Sequence, residues 1–281
     1  MNWIHRWMMG VLISLLVGNL AFAQQGITKY VRYDHQGRTS YGILDGETIR
    51  ELEGDLFSAP RVSGKTLRLS DVKLLPPAEP SKVIAVGLNY RSHLGDRPVP
   101  AYPGLFAKYP SSLIGHGDHI VMPADAENLH FEAELVVVIG KKARKVSVDE
   151  APAYIFGVTA GNDVSERAWQ QADLQWLRAK ASDTFGPIGP AIVTGLDYRD
   201  LLIESRLNGE VQQSGRTKDL IFGVDEIVSY VSQYITLLPG DLIFTGTPGR
   251  TKAMKPGDRI EVEVEGVGVL INTVVAAETG K

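Results

Sequence analysis

The feature that most limits what this chain can fold into is an apolar run headed by two acids, His130-Phe131-Glu132-Ala133-Glu134-Leu135-Val136-Val137-Val138-Ile139-Gly140. Leu135 to Ile139 is wholly branched aliphatic and stops at a glycine, which reads as a strand buried on both faces. A strand of that kind belongs in the core. Candidates recur along the chain: Val83 to Val86, Ala191 to Val193, Leu242 to Phe244 and Ile260 to Val264 are strand-length, β-branched and bounded by Gly or Pro. Helix-like segments are fewer, chiefly Ser165 to Leu177 and Glu226 to Tyr234. Strict strand-helix alternation is missing, so the pattern predicts a β-dominated α/β domain.

The first 23 residues read as an address. Arg6 precedes an apolar stretch from Met8 to Leu20, and Ala21-Phe22-Ala23 supplies small residues for cleavage. The stretch is short of the roughly 20 apolar residues that span a bilayer. A cleaved signal peptide is therefore expected over a retained anchor, giving an exported, periplasmic protein that begins at Gln24, as its intact mass would report. Residues 24–75 read as a small β-rich lead-in, with strand-like Thr28 to Tyr33 and Thr39 to Leu44 and a hairpin signal at Asp45-Gly46. Pro76-Pro77-Ala78-Glu79-Pro80 marks a seam, after which residues 76–281 form the main domain. A net charge of −4 with both signs interspersed gives no basic face for nucleic acid. The absence of cysteine excludes disulfides, thiolate metal sites and a cysteine nucleophile. Any metal must then be held by oxygen or imidazole.

Side chains two apart on a strand share a face, so Glu132 and Glu134 should project side by side, with Cα atoms roughly 7 Å apart. Two carboxylates so placed repel each other. Solvation at a strand end would relieve them, as would protonation, a basic partner or a cation. A hard divalent ion suits such oxygens. A third acid, Asp163, ends the apolar stretch Ile155 to Asn162. Asp163-Val164-Ser165-Glu166 also matches a helix capping box with Asp163 as N-cap, a role that does not exclude ligation. His116 and His119, around Gly117-Asp118, read as a turn with two exposed imidazoles rather than a second metal site.

These pieces and several others occur in a familiar order. Ala85-Val86-Gly87-Leu88-Asn89-Tyr90-Arg91-Ser92-His93, Phe106-Ala107-Lys108, Phe131-Glu132-Ala133-Glu134-Leu135 and Gly161-Asn162-Asp163-Val164-Ser165 come first. Lys180 with Asp183-Thr184-Phe185-Gly186-Pro187-Ile188-Gly189-Pro190, Leu207-Asn208-Gly209-Glu210, Leu238-Pro239-Gly240-Asp241 and Thr245-Gly246-Thr247-Pro248 follow. From about Ser81 to Val275 the chain resembles the fumarylacetoacetate hydrolase family. The resemblance implies a mixed β-sandwich roll, a homodimer, and Mg²⁺ or Mn²⁺ held by Glu132, Glu134 and Asp163, donors that Ca²⁺ also accepts. It implies a small 2-oxo acid as substrate, with Lys180 on its carboxylate or developing oxyanion and Arg167, Gln170 and Thr247 facing it.

The same resemblance places His93 on a mobile segment, Leu88 to Gly104, working with an acid three residues later to activate water. Hydrolytic members carry glutamate there, whereas this chain has Asp96, one methylene shorter, on a shortened segment. The activity implied is metal-dependent cleavage of a C–C bond in a 2,4-dioxo acid of acylpyruvate or fumarylpyruvate type. Without water activation the same chemistry would serve as a 2-oxo dicarboxylate decarboxylase or a 2-hydroxydienoate isomerase. Binding of a 2-oxo acid without turnover is the third reading.

Overall fold

The computed structural model describes residues 26–278; the signal peptide expected over residues 1–23 lies outside them. Its largest element is a mixed sheet whose middle is the fully buried strand Ala133–Ile139. On one side it pairs antiparallel with Ile155–Asn162, and on the other with Leu242–Phe244, which runs parallel to Val83–Gly87. The apolar run thus has a neighbour on each edge, as a strand without a solvated face requires. Gly186–Thr194 continues the sheet beyond Ile155–Asn162.

Thr28–His35 pairs with Gly186–Thr194, so the N-terminal meander of Thr28–His35, Arg38–Asp45, Thr48–Glu53 and Arg61–Arg68 extends the same sheet. The sequence placed a hairpin at Asp45-Gly46; Asp45 instead pairs with Thr48, and Gly46-Glu47 makes the turn. Gly46 has φ +57°, which tight hairpin turns ask of glycine.

A second sheet of five strands, Glu210–Arg216, Leu202–Leu207, Arg259–Val264, Gly268–Ala276 and His119–Met122, packs over the first. Val137, Val158 and Val193 of one sheet meet Ile203, Val262 and Leu270 of the other in one core. The molecule is therefore a strand-dominated mixed β-sandwich, as the sequence led us to expect. Helix Val224–Tyr234 closes the core through Val224, Ile227, Val228 and Val231, at the spacing of one helical face. No helix among the described residues is long and apolar enough to cross a membrane.

The other expected helix, Ser165 to Leu177, is broken. Ser165–Glu166 pairs as a short strand with Leu129–His130, and the helices are Arg167–Ala172 and Leu177–Ala181. The N-cap is Glu166 rather than Asp163: its buried carboxylate accepts from the backbone N–H of Ala168 (2.9 Å) and Trp169 (3.2 Å), and from Asn128 (2.6 Å). Asp163 is left free for another task. His119 is exposed, but His116 is half-buried, where burial lowers its pKa.

The Leu238-Pro239-Gly240-Asp241 turn has a structural explanation. The fully buried Asp241 carboxylate accepts from the N–H of Ser81 (3.0 Å), Lys82 (3.1 Å) and Leu238 (2.7 Å), and pairs with the Lys82 ammonium. It ties the entry of Val83–Gly87 to the turn that feeds its partner strand. Asp241→Ala would strand those buried donors at a cost of about 3–5 kcal/mol. We expect its Tm to fall by roughly 10 °C in calorimetry; a fall under about 3 °C would show that the anchor is dispensable.

Candidate metal centre and active site

The ends of two central strands build the site. Ala133 pairs with Asn162, and the Asp163 N–H donates to the Glu132 carbonyl at 2.9 Å, which sets the two acids abreast. Glu134 follows one strand repeat later on the same face. Gly161 permits the close approach of these strands, because a Cβ there would meet Val136 Cγ2 at 2.4 Å and Phe244 Cε1 at 2.7 Å. One oxygen from each of Glu132, Glu134 and Asp163 lies within 4.8 Å of the others, and all three residues are buried.

Basic groups attend two of the three acids. Lys180 Nζ donates to Glu132 Oε2 at 2.6 Å and to Asp163 Oδ2 at 2.7 Å. The Lys108 ammonium donates to Asp163 Oδ1 at 2.7 Å and to the Lys180 carbonyl, and the Arg167 guanidinium pairs with Glu132 Oε1. Burial alone would raise the Glu132 carboxyl, but Lys180 and Arg167 outweigh it and hold it well below the usual carboxylate range. Glu134 has no ion pair among the described residues; it accepts only the Gly246 N–H, at 2.7 Å. Burial, then the charges of Asp163 and Glu132, push its pKa well above the ordinary value.

That asymmetry is the test of fit for a metal. Three hard oxygens converge, and Glu134 alone of the three carboxylates has no cation paired with it among the described residues. A divalent ion fits both the donors and the unpaired carboxylate.

Glu132, Glu134 and Asp163 floor a cavity of about 1060 Å³, whose walls include Arg167, Gln170, Lys180, Thr247, His93 and Asp96. The nine site residues read from the sequence thus reach one cavity, but their engagements differ. Lys180 has two of its three N–H donors on carboxylates, leaving one. Arg167 Nη1 donates to Gln170 Oε1 at 2.8 Å, so these two form a unit. The Thr247 hydroxyl donates to the Ala133 carbonyl at 2.8 Å and accepts from Gln213 at 2.8 Å; it secures the strand between the two glutamates.

His93 lies in a single helical turn, Arg91–Leu94. Its Nδ1 lies 2.7 Å from the Gly249 carbonyl and its Nε2 3.6 Å from Glu132 Oε1. A carbonyl only accepts, so Nδ1 holds a proton, and in the tautomer this fixes, Nε2 is the nitrogen that can accept one beside the acids. No hydrogen bond or ion pair joins Asp96 to His93 among the described residues. Gly95 leaves the helical turn with φ +61°, and Asp96 lies exposed on the cavity wall. The dyad implied by the resemblance is not formed among the described residues.

Lys108, Gln213 and Gly249 were not assigned roles from the sequence. Lys108 ends the Phe106-Ala107-Lys108 motif, but nothing local marks a strand-end lysine as buried. Gln213 Oε1 accepts from the Ala133 N–H (3.1 Å) while its amide donates to Pro248 O (2.6 Å), bracing the strand from the other sheet.

Comparison with known proteins agrees with this geometry. A family model described as fumarylacetoacetate (FAA) hydrolase C-terminal matches residues 82–275, and one described as Rv2993c-like, N-terminal matches residues 28–77. Oxaloacetate tautomerase FAHD2A, mitochondrial, of Homo sapiens is 42% identical over 216 residues, covering 72% of this chain and 69% of its own. The crystal structure of 2-hydroxyhepta-2,4-diene-1,7-dioate isomerase from Mycobacterium marinum is 40% identical with a TM-score of 0.84, covering 90% of this chain and 100% of that one. Maleylpyruvate hydrolase from Sphingobium sp. SYK-6, solved with manganese(II) and pyruvate, is 28% identical with a TM-score of 0.75, covering 89% and 100%. The manganese in that relative and the acidic cluster here both support use of a divalent metal.

Proposed function

Because the chain belongs to the fumarylacetoacetate hydrolase family, we propose that it is a divalent-metal-dependent enzyme interconverting the keto and enol forms of a small 2-oxo acid. The observation that carries this reading is the bond between His93 Nδ1 and the Gly249 carbonyl. Hydrolysis of a C–C bond, the activity first expected, calls for an acid behind the imidazole that activates water. Here a neutral carbonyl stands in that position, and it orients a base without adding charge. Proton transfer at carbon needs only such a base and a way to hold charge on oxygen. The tautomerase and isomerase at 42% and 40% identity support the same choice.

Glu132, Glu134 and Asp163 would hold Mg²⁺ or Mn²⁺, which supplies Lewis acidity toward the substrate's 2-oxo oxygen. In the keto-to-enol direction His93 Nε2 takes the proton from C3. The C3–H electron pair becomes the C2–C3 double bond, and charge moves to the C2 oxygen. The remaining N–H of Lys180 is the donor available to that oxygen. The proton held by the His93 imidazolium then passes through solvent water to that oxygen, which gives the enol and restores the base, and the reverse sequence restores the ketone. Arg167, held by Gln170, would orient the C1 carboxylate.

The Mn²⁺-loaded protein should accelerate loss of enol absorbance from freshly dissolved oxaloacetate, with CO₂ release at the background rate. Cleavage of acetylpyruvate outpacing any enol conversion would make it a hydrolase. CO₂ release in step with loss of the enol would make it a decarboxylase. Tight oxalate binding with no turnover of either compound would make it a binding protein.

A further inference from the structure

We propose that Arg91 and Arg250 form a second anion subsite at the mouth of the cavity, which reads a distal carboxylate on the substrate and holds the Leu88 to Gly104 segment closed over it. This rests on the reading of the site as one for a 2-oxo acid, and adds a requirement that the metal end of the site does not impose.

The two arginines are brought together by a latch. The Gly249 N–H donates to Ser92 Oγ at 2.9 Å, and the Gly249 carbonyl accepts from His93 Nδ1 at 2.7 Å. Arg91 immediately precedes Ser92, and Arg250 immediately follows Gly249. The latch therefore brings two guanidinium-bearing residues to the wall of the same cavity. Both are exposed, and neither side chain has an ion pair or hydrogen bond among the described residues. On the five-stranded sheet, by contrast, Arg206 meets Glu204, Glu261 and Glu263, and Arg216 meets Asp200 and Glu265.

Charge along the wall points the same way. Arg97 adds a third guanidinium, and beyond the three cluster acids the wall offers only Asp96 in return. Like charges gathered at a latch oppose its closure, and an anion between them reverses the sign of that contribution. Guanidinium forks take carboxylates in pairs of parallel hydrogen bonds, so a carboxylate is the fitting anion. At about 1060 Å³ the cavity has room for a chain of several carbons between the metal-bound end and this mouth. Trp176 gives that chain an apolar wall beside Gly87, where a Cβ would come within 3.2 Å of the indole. The ligand class is thus a 2-oxo acid with a second, distal carboxylate.

The test is a binding measurement on the Mn²⁺-loaded protein by titration calorimetry, with oxaloacetate, 2-oxoglutarate, 2-oxobutyrate and oxalate as probes. The first two present a distal carboxylate; the others present only the chelating end. The tighter of the two dicarboxylates should bind at least about tenfold more tightly than 2-oxobutyrate. Arg91→Ala with Arg250→Ala should erase that ratio, leaving 2-oxobutyrate and oxalate affinities within about twofold. Both positions are exposed, so an unchanged Tm verifies the fold of the double variant. A wild type without the preference, or a double variant that keeps it, overturns the subsite. Failure of enol turnover with the preference intact would count against the proposed reaction alone.

Discussion

Glu134→Gln should abolish function and, in the metal-free protein, increase stability. In the absence of a divalent ion Glu134 is buried among like charges, with one backbone N–H as its hydrogen-bond donor. Its folded pKa is raised above the unfolded value, so between those two values the folded state binds more protons than the unfolded one. Stability of the stripped protein therefore falls as pH rises from the ordinary glutamate range toward the raised folded value, and is recovered on acidification. Glutamine keeps an oxygen for the Gly246 N–H and removes the charge. The stripped variant should accordingly melt above the stripped wild type at neutral pH. Adding Mn²⁺ at about 100 times its Kd should raise the wild-type Tm by roughly 5–10 °C and move the variant little. Loss of one charged donor should weaken ion affinity by about 10²-fold or more, and enol conversion by on the order of 10³-fold. Scanning calorimetry with EDTA and with Mn²⁺ reads both signs. Equal ion-induced shifts in wild type and variant would mean that Glu134 is no ligand, and a stripped variant melting below wild type would mean that its charge is compensated in a way the fold does not display.

Much of this site was legible because its first determinant is local. The two-residue period of a strand puts Glu132 and Glu134 on one face whatever surrounds them, and the apolar run behind them demands burial. The order of the motifs then supplied Asp163 and Lys180. What escaped is set by contacts between distant segments. Lys108 is buried because Asp163, 55 residues on, and the Lys180 carbonyl, 72 residues on, receive its ammonium. Asp163 fits a capping box by spacing, yet Leu129–His130 pairs with Ser165–Glu166 and shifts the helix start, so that Glu166 caps it. The His93–Asp96 spacing would align the two on a continuing helix. Gly95, at φ +61°, ends the turn first, and Gly249, 156 residues from His93, takes the ring nitrogen. Local periodicity thus specified the strands and the acids, while the partners of each polar group depended on how the strands were assembled.

His93→Asn isolates what the ring contributes. Asparagine can present an N–H near the Nδ1 position and so keep the bond to the Gly249 carbonyl, while offering nothing at Nε2. If Nε2 is the base at C3, kcat for enol conversion should fall by about 10²–10⁴-fold, with Mn²⁺ affinity unchanged within about threefold. The clearest readout is loss of deuterium from C3 of a labelled 2-oxo acid, followed by NMR in H₂O: the wild type should wash the label out, and the variant should release it only at the background rate. Asp96→Ala is the companion measurement. With Asp96 exposed and the imidazole oriented by a backbone carbonyl, its removal should lower exchange by less than about threefold. If Asp96→Ala instead falls as far as His93→Asn, a His93–Asp96 dyad forms in the substrate complex, and water activation returns as the function of this segment. If His93→Asn exchanges the label at the wild-type rate, the base is another group on the cavity wall, and Lys180, whose ammonium would first have to give up a proton between two carboxylates, is the next to replace.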